Sequence, residues 1–290
     1  MKDYLVKAYA FGGTVRIYAA STTNLVDEAR QIHQTYPAAS AAFGRLLTTS
    51  LIMGAMYSED QTLTIRVQGN GPIGQMITSV DAHGHVKGLV ENPQVHYSYK
   101  DKLAVGMVVG NQGHIHVTKD LKIRDVFTSS AEIQTGEIAE DFTYYFAKSE
   151  QIPSSVGLGV LVNEKNEVFA SGGFILQVMP GVKDHTIETI EKNIKAMKPI
   201  SELISDGYTP EEIIKEITKG DHEFVETMDL AYECDCNKER FAKGIKTLDN
   251  SELDAVIQDG EPVEILCQFC KSKYTFTSED IKNIKLDKES

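Results

Sequence analysis

The chain has 290 residues, 41% hydrophobic and 24% charged, with a formal net charge of −13 at pH 7. That length can bury a sizeable core and build two domains. So acidic a surface repels a phosphate backbone unless basic residues gather in one patch, and no apolar run is long enough to span a bilayer.

Residues 1–180 mix strands with one helical block. Residues 1–6 alternate as a strand does and lack the apolar core of a secretion signal. The expected compartment is the cytoplasm, where thiols stay reduced. Between Asn24 and Met56 the period becomes helical. Leu25, Ala29 and Ile32 form one stripe; Ala39, Ala42, Phe43, Leu46, Leu47, Leu51 and Met53 form a broader one after Pro37, which suits a helix start. Alternation returns at 64–68 and 114–118, and turn residues recur at 81–84, 110–113 and 163–166. The pattern predicts an antiparallel sheet of hairpins with one face covered by helices, an α+β domain.

Several motifs here have a sufficient structural explanation. Gly69-Asn70-Gly71-Pro72-Ile73-Gly74 fits G-x-G-x-x-G, but residues 75–80 look like a second strand and not the helix a dinucleotide site requires. His114 and His116 share a strand face, and His83 and His85 straddle a turn glycine; neither pair has a third ligand close in sequence. Ser154, Ser155 and Ser171 lack the G-x-S-x-G elbow and an evident histidine partner. No catalytic constellation emerges.

Residues 181–230 read as helices only. Ile187, Ile190, Ile194 and Met197 fall on one face, and Pro199 ends that run. Thr209-Pro210-Glu211-Glu212 combines an N-cap, a first-turn proline and a capping-box glutamate, and Gly220 suits a C-terminal cap. Helices this short are marginal alone in water, so their apolar stripes must dock on something.

Residues 231–290 carry all four cysteines as two close pairs, Cys234-Asp235-Cys236 and Cys267-Gln268-Phe269-Cys270. Four thiolates in two short clusters make the ligand set of a tetrahedral structural zinc site. Two local disulfides or four inert thiols are the alternatives; a reducing compartment disfavours the first, and the clustering disfavours the second. The segment is poor in large apolar residues, so a metal is expected to supply its stability. With nine Lys and Arg against thirteen Asp and Glu, it is a poor grip for nucleic acid. Zinc holds cysteine as thiolate, the oxidisable form, so such a site is also a latent redox switch. A disulfide within the C-x-C pair would be strained and therefore readily reduced again.

Glu233-Cys234-Asp235-Cys236 and Ile265-Leu266-Cys267-Gln268-Phe269-Cys270, with Tyr274 and Phe276 a few residues further on, resemble the redox domain of the thirty-three-kilodalton family of redox-regulated heat-shock holdases. Gly13-Thr14-Val15-Arg16, Gly44-Arg45-Leu46-Leu47 and the segment 69–74 also look like family segments, and the order of sheet domain, helical linker and cysteine domain matches. The resemblance implies a non-enzymatic, ATP-independent chaperone with one zinc ion per chain on Cys234, Cys236, Cys267 and Cys270 when reduced. On oxidation it implies disulfides Cys234–Cys236 and Cys267–Cys270, zinc release, unfolding of the cysteine domain and linker, binding of unfolded clients, and a homodimeric active form. Three parts are expected: a core over 1–180 for client binding and dimerisation, a linker over 181–230 and a switch over 231–290. The stripe of Ile187, Ile190, Ile194 and Met197, together with the sheet face beneath it, is the expected client surface, with neither nucleic acid nor membrane as partner. The competing readings are a zinc-dependent adaptor or nucleic-acid binder without a redox role, and a thiol oxidoreductase using the C-x-x-C pair.

Overall fold

The computed structural model describes residues 2–58, 60–99, 102–123 and 125–289; Met1, the first residue of the expected N-terminal strand, lies outside them. The chain divides into two compact units between Glu233 and Cys234. The first begins with β1 (Tyr4–Ala10), β2 (Val15–Ser21), α1 (Thr23–His33), α2 (Pro37–Gly54), β3 (Thr62–Gly69), β4 (Gln75–Asp81) and β5 (His85–Val90). It continues through β6 (Ser98–Tyr99), β7 (Lys102–Leu103), α3 (Val105–Val109), β8 (Gly113–Asp120), β9 (Phe127–Glu132) and α4 (Ala139–Tyr145), which runs into a π-helical turn. Next come β10 (Ser154–Val162), β11 (Val168–Val178), α5 (Asp184–Ala196), α6 (Ile200–Ser205), α7 (Pro210–Thr218), β12 (His222–Asp229) and β13 (Ala231–Tyr232).

Apart from β6 and β7, which pair only with each other, these strands form two sheets rather than the single sheet expected. One has the order β10-β11-β2-β1-β12 and the other β13-β5-β4-β3-β8-β9; every pairing is antiparallel except that of β13 with β5. Helix α2 lies between them, against β10 and β11 on one side and β4 and β5 on the other. Of its residues only Pro37 and Arg45 keep partial exposure, so the broad stripe of the sequence becomes burial on every face. The polar residues this buries are hydrogen-bonded: Thr48 Oγ1 lies 2.7 Å from Thr22 Oγ1, and Ser50 Oγ is 2.6 Å from Thr78 Oγ1. Gly44 sets how closely α1 approaches, since a Cβ there would stand 2.5 Å from Val26 Cγ1 and 3.1 Å from Val160 Cγ2.

The outer face of the five-stranded sheet has its own core. Val6, Ile17, Phe174 and Leu176 pack with Ile190, Ile200, Leu203, Ile204, Ile213, Ile214 and Ile217 of α5, α6 and α7. Gly159 lets α6 rest on β10, because a Cβ there would fall 2.3 Å from the Ser201 backbone nitrogen. The capping box at Thr209 forms as the sequence predicts: Glu212 N–H donates to Thr209 Oγ1 (3.3 Å) and Thr209 N–H to Glu212 Oε2 (2.8 Å). The left-handed cap falls on Lys219, one residue before Gly220.

The expectation of helices alone across 181–230 is corrected by β12, which pairs along β1 from Tyr4 opposite Asp229 to Ala10 opposite His222. Its sequence hides it: an edge strand exposed on both faces has no buried side to impose alternation, and a bulge between Lys7 and Ala8 shifts its register. The glycine motif at 69–74 joins β3 to β4 as a strand–turn–strand, as expected. The turn residues at 110–113 instead connect α3 to β8.

The second unit comprises α8 (Lys238–Ile245), α9 (Asn250–Asp259), β14 (Val263–Leu266), β15 (Lys273–Phe276) and α10 (Ser278–Glu289). Its core cluster contains only Ile245, Leu253, Phe276 and Ile281 as buried side chains. Overpacking at the α1–α2 crossing is expected to be costly in the first unit: Gly44→Val should lower stability by about 1–3 kcal/mol. Urea unfolding of the first unit checks this, and an unchanged midpoint would contradict the packing described.

Candidate metal centre

The cysteines reach one place from two directions. Cys234 and Cys236 lie in the extended segment before α8, where Asn237 caps the helix by accepting from Arg240 N–H (2.8 Å) and Arg240 pairs with Asp235 (2.7 Å), the residue between the two thiols. Cys267 and Cys270 sit on the tight turn between β14 and β15. There Cys267 N–H donates to the Ser272 carbonyl (2.9 Å), Lys271 N–H donates to the Cys267 carbonyl (2.9 Å), and Lys271 takes a left-handed conformation.

All four Sγ atoms lie within 4.8 Å of one another, and no other group of three or more potential ligands converges among the described residues. Cys234 Sγ is 3.8 Å from Cys267 Sγ, and Cys236 Sγ is 3.3 Å from Cys270 Sγ, so each thiol of the first pair meets one of the second. All four are free cysteines, with Cys267 buried and the others half-buried. Sulfurs tetrahedrally placed about 2.3 Å from a zinc ion would be about 3.8 Å apart, so the donor set and its spacing fit that metal.

Electrostatics points the same way. Burial, and hydrogen bonding to neighbouring thiols, push the Cys234 thiol strongly upward; burial also raises Cys236. Burial opposes ionisation of Cys270 as well, but the Ser272 hydroxyl and backbone N–H bring it down to about 7. Four crowded sulfurs cannot all ionise without a cation, and a bound metal reverses this balance. Tyr274 on β15 braces the first pair: its hydroxyl donates to the Cys236 carbonyl (2.9 Å) and lies 3.2 Å from Cys236 Sγ, while its ring packs 4.9 Å from Phe241 of α8. Hydrogen bonding to Cys236, with a smaller contribution from burial, raises the phenol to about 12, so it remains a donor. The sequence marks Tyr274 as part of the family resemblance but assigns it no role at the site; a hydroxyl-bearing aromatic four residues after the last cysteine is the signal for that role.

The other candidate residues fall elsewhere. Ile187, Ile190 and Ile194 lie on α5, with Met197 as its C-cap; only Ile190 is fully buried, Ile194 and Met197 pack partly on the outer-face core, and Ile187 is half-buried. The three isoleucines also border a cavity of about 400 Å³ with Pro153, Ser155, Leu176 and Val178. The His114 and His116 rings stack at 5.8 Å on β8, and His85 pairs with Asp81 (2.9 Å). Ser171 is buried, 3.0 Å from Thr22 Oγ1.

The two-sheet body with its central buried helix and the four-thiol module that follows it in the chain are shared with a family of chaperones, which are not enzymes. A family model described as Hsp33 protein matches residues 3–277, and the chain belongs to the Hsp33 family. It is 47% identical to the 33 kDa chaperonin of Bacillus pumilus over 285 residues and 48% identical to that of Staphylococcus aureus over 288, each match covering 98% of both chains. The crystal structure of the 33 kDa chaperonin of Thermotoga maritima superposes with a TM-score of 0.92 at 32% identity, covering all of both chains. No helix among the described residues is long and apolar enough to cross a membrane.

Outer partners of metal ligands typically contribute about 10–100-fold in affinity. Tyr274→Phe is therefore expected to weaken zinc binding by about that factor while keeping the fold. Competition against a chromophoric chelator measures it; an unchanged affinity would remove Tyr274 from the site.

Proposed function

We propose that the protein is a redox-regulated, ATP-independent holdase of the cytoplasm. Reduced, it holds one zinc ion on Cys234, Cys236, Cys267 and Cys270 and is inactive. Peroxide delivers hydroxyl to one thiolate sulfur of a pair, giving sulfenic acid and hydroxide; the second thiolate attacks that sulfur, expelling another hydroxide and forming the S–S bond. Each bridge thus passes two electrons to one peroxide. With Cys234–Cys236 and Cys267–Cys270 both bridged, no thiolate remains to ligate the cation, and it leaves.

The observation that carries this reading is the location of four converging sulfurs in a unit with four buried apolar side chains in its core. Structural zinc is worth about 10–16 kcal/mol of apparent binding free energy, as much as the whole stability of a typical domain, about 5–15 kcal/mol. Losing it should unfold the second unit. The three-part division into core (1–180), linker (181–230) and switch (231–290) belongs to this proposal, as do the homodimeric active form and the absence of nucleic acid among the partners. Client binding falls to the face carrying Ile187, Ile190, Ile194 and Met197, which α5 holds loosely, with Thr186 and Ile190 its only fully buried residues.

Peroxide treatment with zinc release and suppression of client aggregation monitored together tests the switch. The holdase reading expects release and protection to rise in step; an adaptor without redox switching expects peroxide only to inactivate. Replacing Ile187, Ile190 and Ile194 together by serine is expected to reduce client protection after oxidation severalfold while leaving zinc release unchanged. Full protection by that variant would move the client surface elsewhere.

A further inference from the structure

Tyr232 is buried, although it belongs to a strand of two residues and stands two positions before Cys234. β13 lies parallel on the outer edge of β5, with Ala231 opposite His85 and Tyr232 opposite Val86. Ala231 N–H donates to the Gly84 carbonyl (3.0 Å) and Glu233 N–H to the Val86 carbonyl (2.9 Å). One rung further along, the Tyr232 side chain takes over from the backbone. Its hydroxyl donates to the Gly88 carbonyl (2.8 Å) and accepts from Gly88 N–H (3.2 Å). His33 Nε2 lies 3.1 Å from the same oxygen; the hydroxyl has committed its one proton to Gly88, so His33 is the donor. Phe43 closes the socket, its ring edge-on to His33 at 5.4 Å. A Cβ on Gly88 would come within 2.8 Å of that ring.

β13 is therefore an extended segment seated on a sheet edge with its aromatic side chain in a pocket, the arrangement by which sheets recognise peptides. Without it β5 is a bare edge, a template for any extended chain. A cavity of about 370 Å³ beside it, bordered by Asn24, Leu25, Glu28 and Leu230, leaves room for neighbouring side chains. We propose that the β5 edge and the His33–Phe43–Gly88 socket form a client-binding site that takes an extended, tyrosine-bearing segment of an unfolded polypeptide in place of β13. The release of β13 rests on the redox reading above. Once the residues after Glu233 unfold, a two-residue strand becomes the end of a loose chain and frays. The floor of the socket selects tyrosine over phenylalanine, because a bare ring would leave the polar groups of Gly88 and His33 facing it without their hydroxyl partner.

The test uses the full chain and two fluorescein-labelled peptides: Met-Asp-Leu-Ala-Tyr-Glu, which copies residues 228–233, and its Tyr-to-Phe form. Oxidised wild type is expected to bind the tyrosine peptide about tenfold or more tightly than the phenylalanine peptide, and the reduced, zinc-loaded protein to bind neither. Tyr232→Ser should bind the tyrosine peptide while reduced and zinc-loaded, because its socket is empty and a two-residue strand without its side-chain anchor yields the β5 edge to the peptide. Equal affinity of oxidised wild type for the two peptides overturns the proposal, as does absence of binding to both oxidised wild type and Tyr232→Ser. In the latter case, zinc release and client protection by oxidised wild type would leave the redox reading standing. Binding by Tyr232→Ser but not by oxidised wild type overturns the proposal at the release of β13, the step taken from that reading. Should Tyr232→Ser fail to fold, the two peptides on oxidised wild type decide.

Discussion

Four cysteine sulfurs drawn to a common centre are the constraint on which the second unit depends. Beyond them it has a small cluster around Phe276 and Leu253 and a set of largely exposed ion pairs such as Lys246–Asp287 and Arg240–Asp235. Exposed pairs of this kind contribute little. Burial makes Cys234 and Cys236 reluctant to ionise by themselves, so a cation that collects the four sulfurs would turn a repulsive cluster into the strongest contact in the unit. The same four atoms are its most oxidisable. In the proposed reading, stability and reactivity therefore reside in one place, and a chemical event there has no second core to absorb it.

The first unit is built on the opposite principle. Helix α2 is enclosed by two sheets, and the outer face of one sheet carries a second apolar layer made by α5, α6 and α7. Within that layer burial is uneven. Helix α7 buries Ile213, Ile214 and Ile217 completely and is tied to β1 by the Tyr4 hydroxyl, which donates to Glu211 (2.7 Å). Helix α5 commits one isoleucine. Such grading lets a protein release some apolar surface while its main fold persists, which is what a holdase requires.

Much of this was legible in the sequence because local chemistry suffices to write it. The cysteine pairs, the capping box at Thr209, the Pro37 helix start and the 69–74 turn each depend on neighbours in the chain. The hidden features depend on distant partners. The stripe of α2 could not reveal that a second sheet covers its back, β12 carries no alternation because neither face is buried, and the helices between the two cysteine pairs bury too few residues to announce a period. Tyr274 and Tyr232 are ordinary strand aromatics until the fold brings a sulfur to one and His33 to the other.

The central claim is that loss of the four-sulfur centre becomes loss of structure in the second unit and then in the loosely seated helix α5. Hydrogen–deuterium exchange read peptide by peptide, before and after oxidation, tests it most directly. The account predicts that protection collapses across 234–289 and falls in α5, while α2 and the central strands β1, β2, β3 and β4 keep theirs. Undiminished protection across 234–289 in a protein that has lost its metal would contradict it.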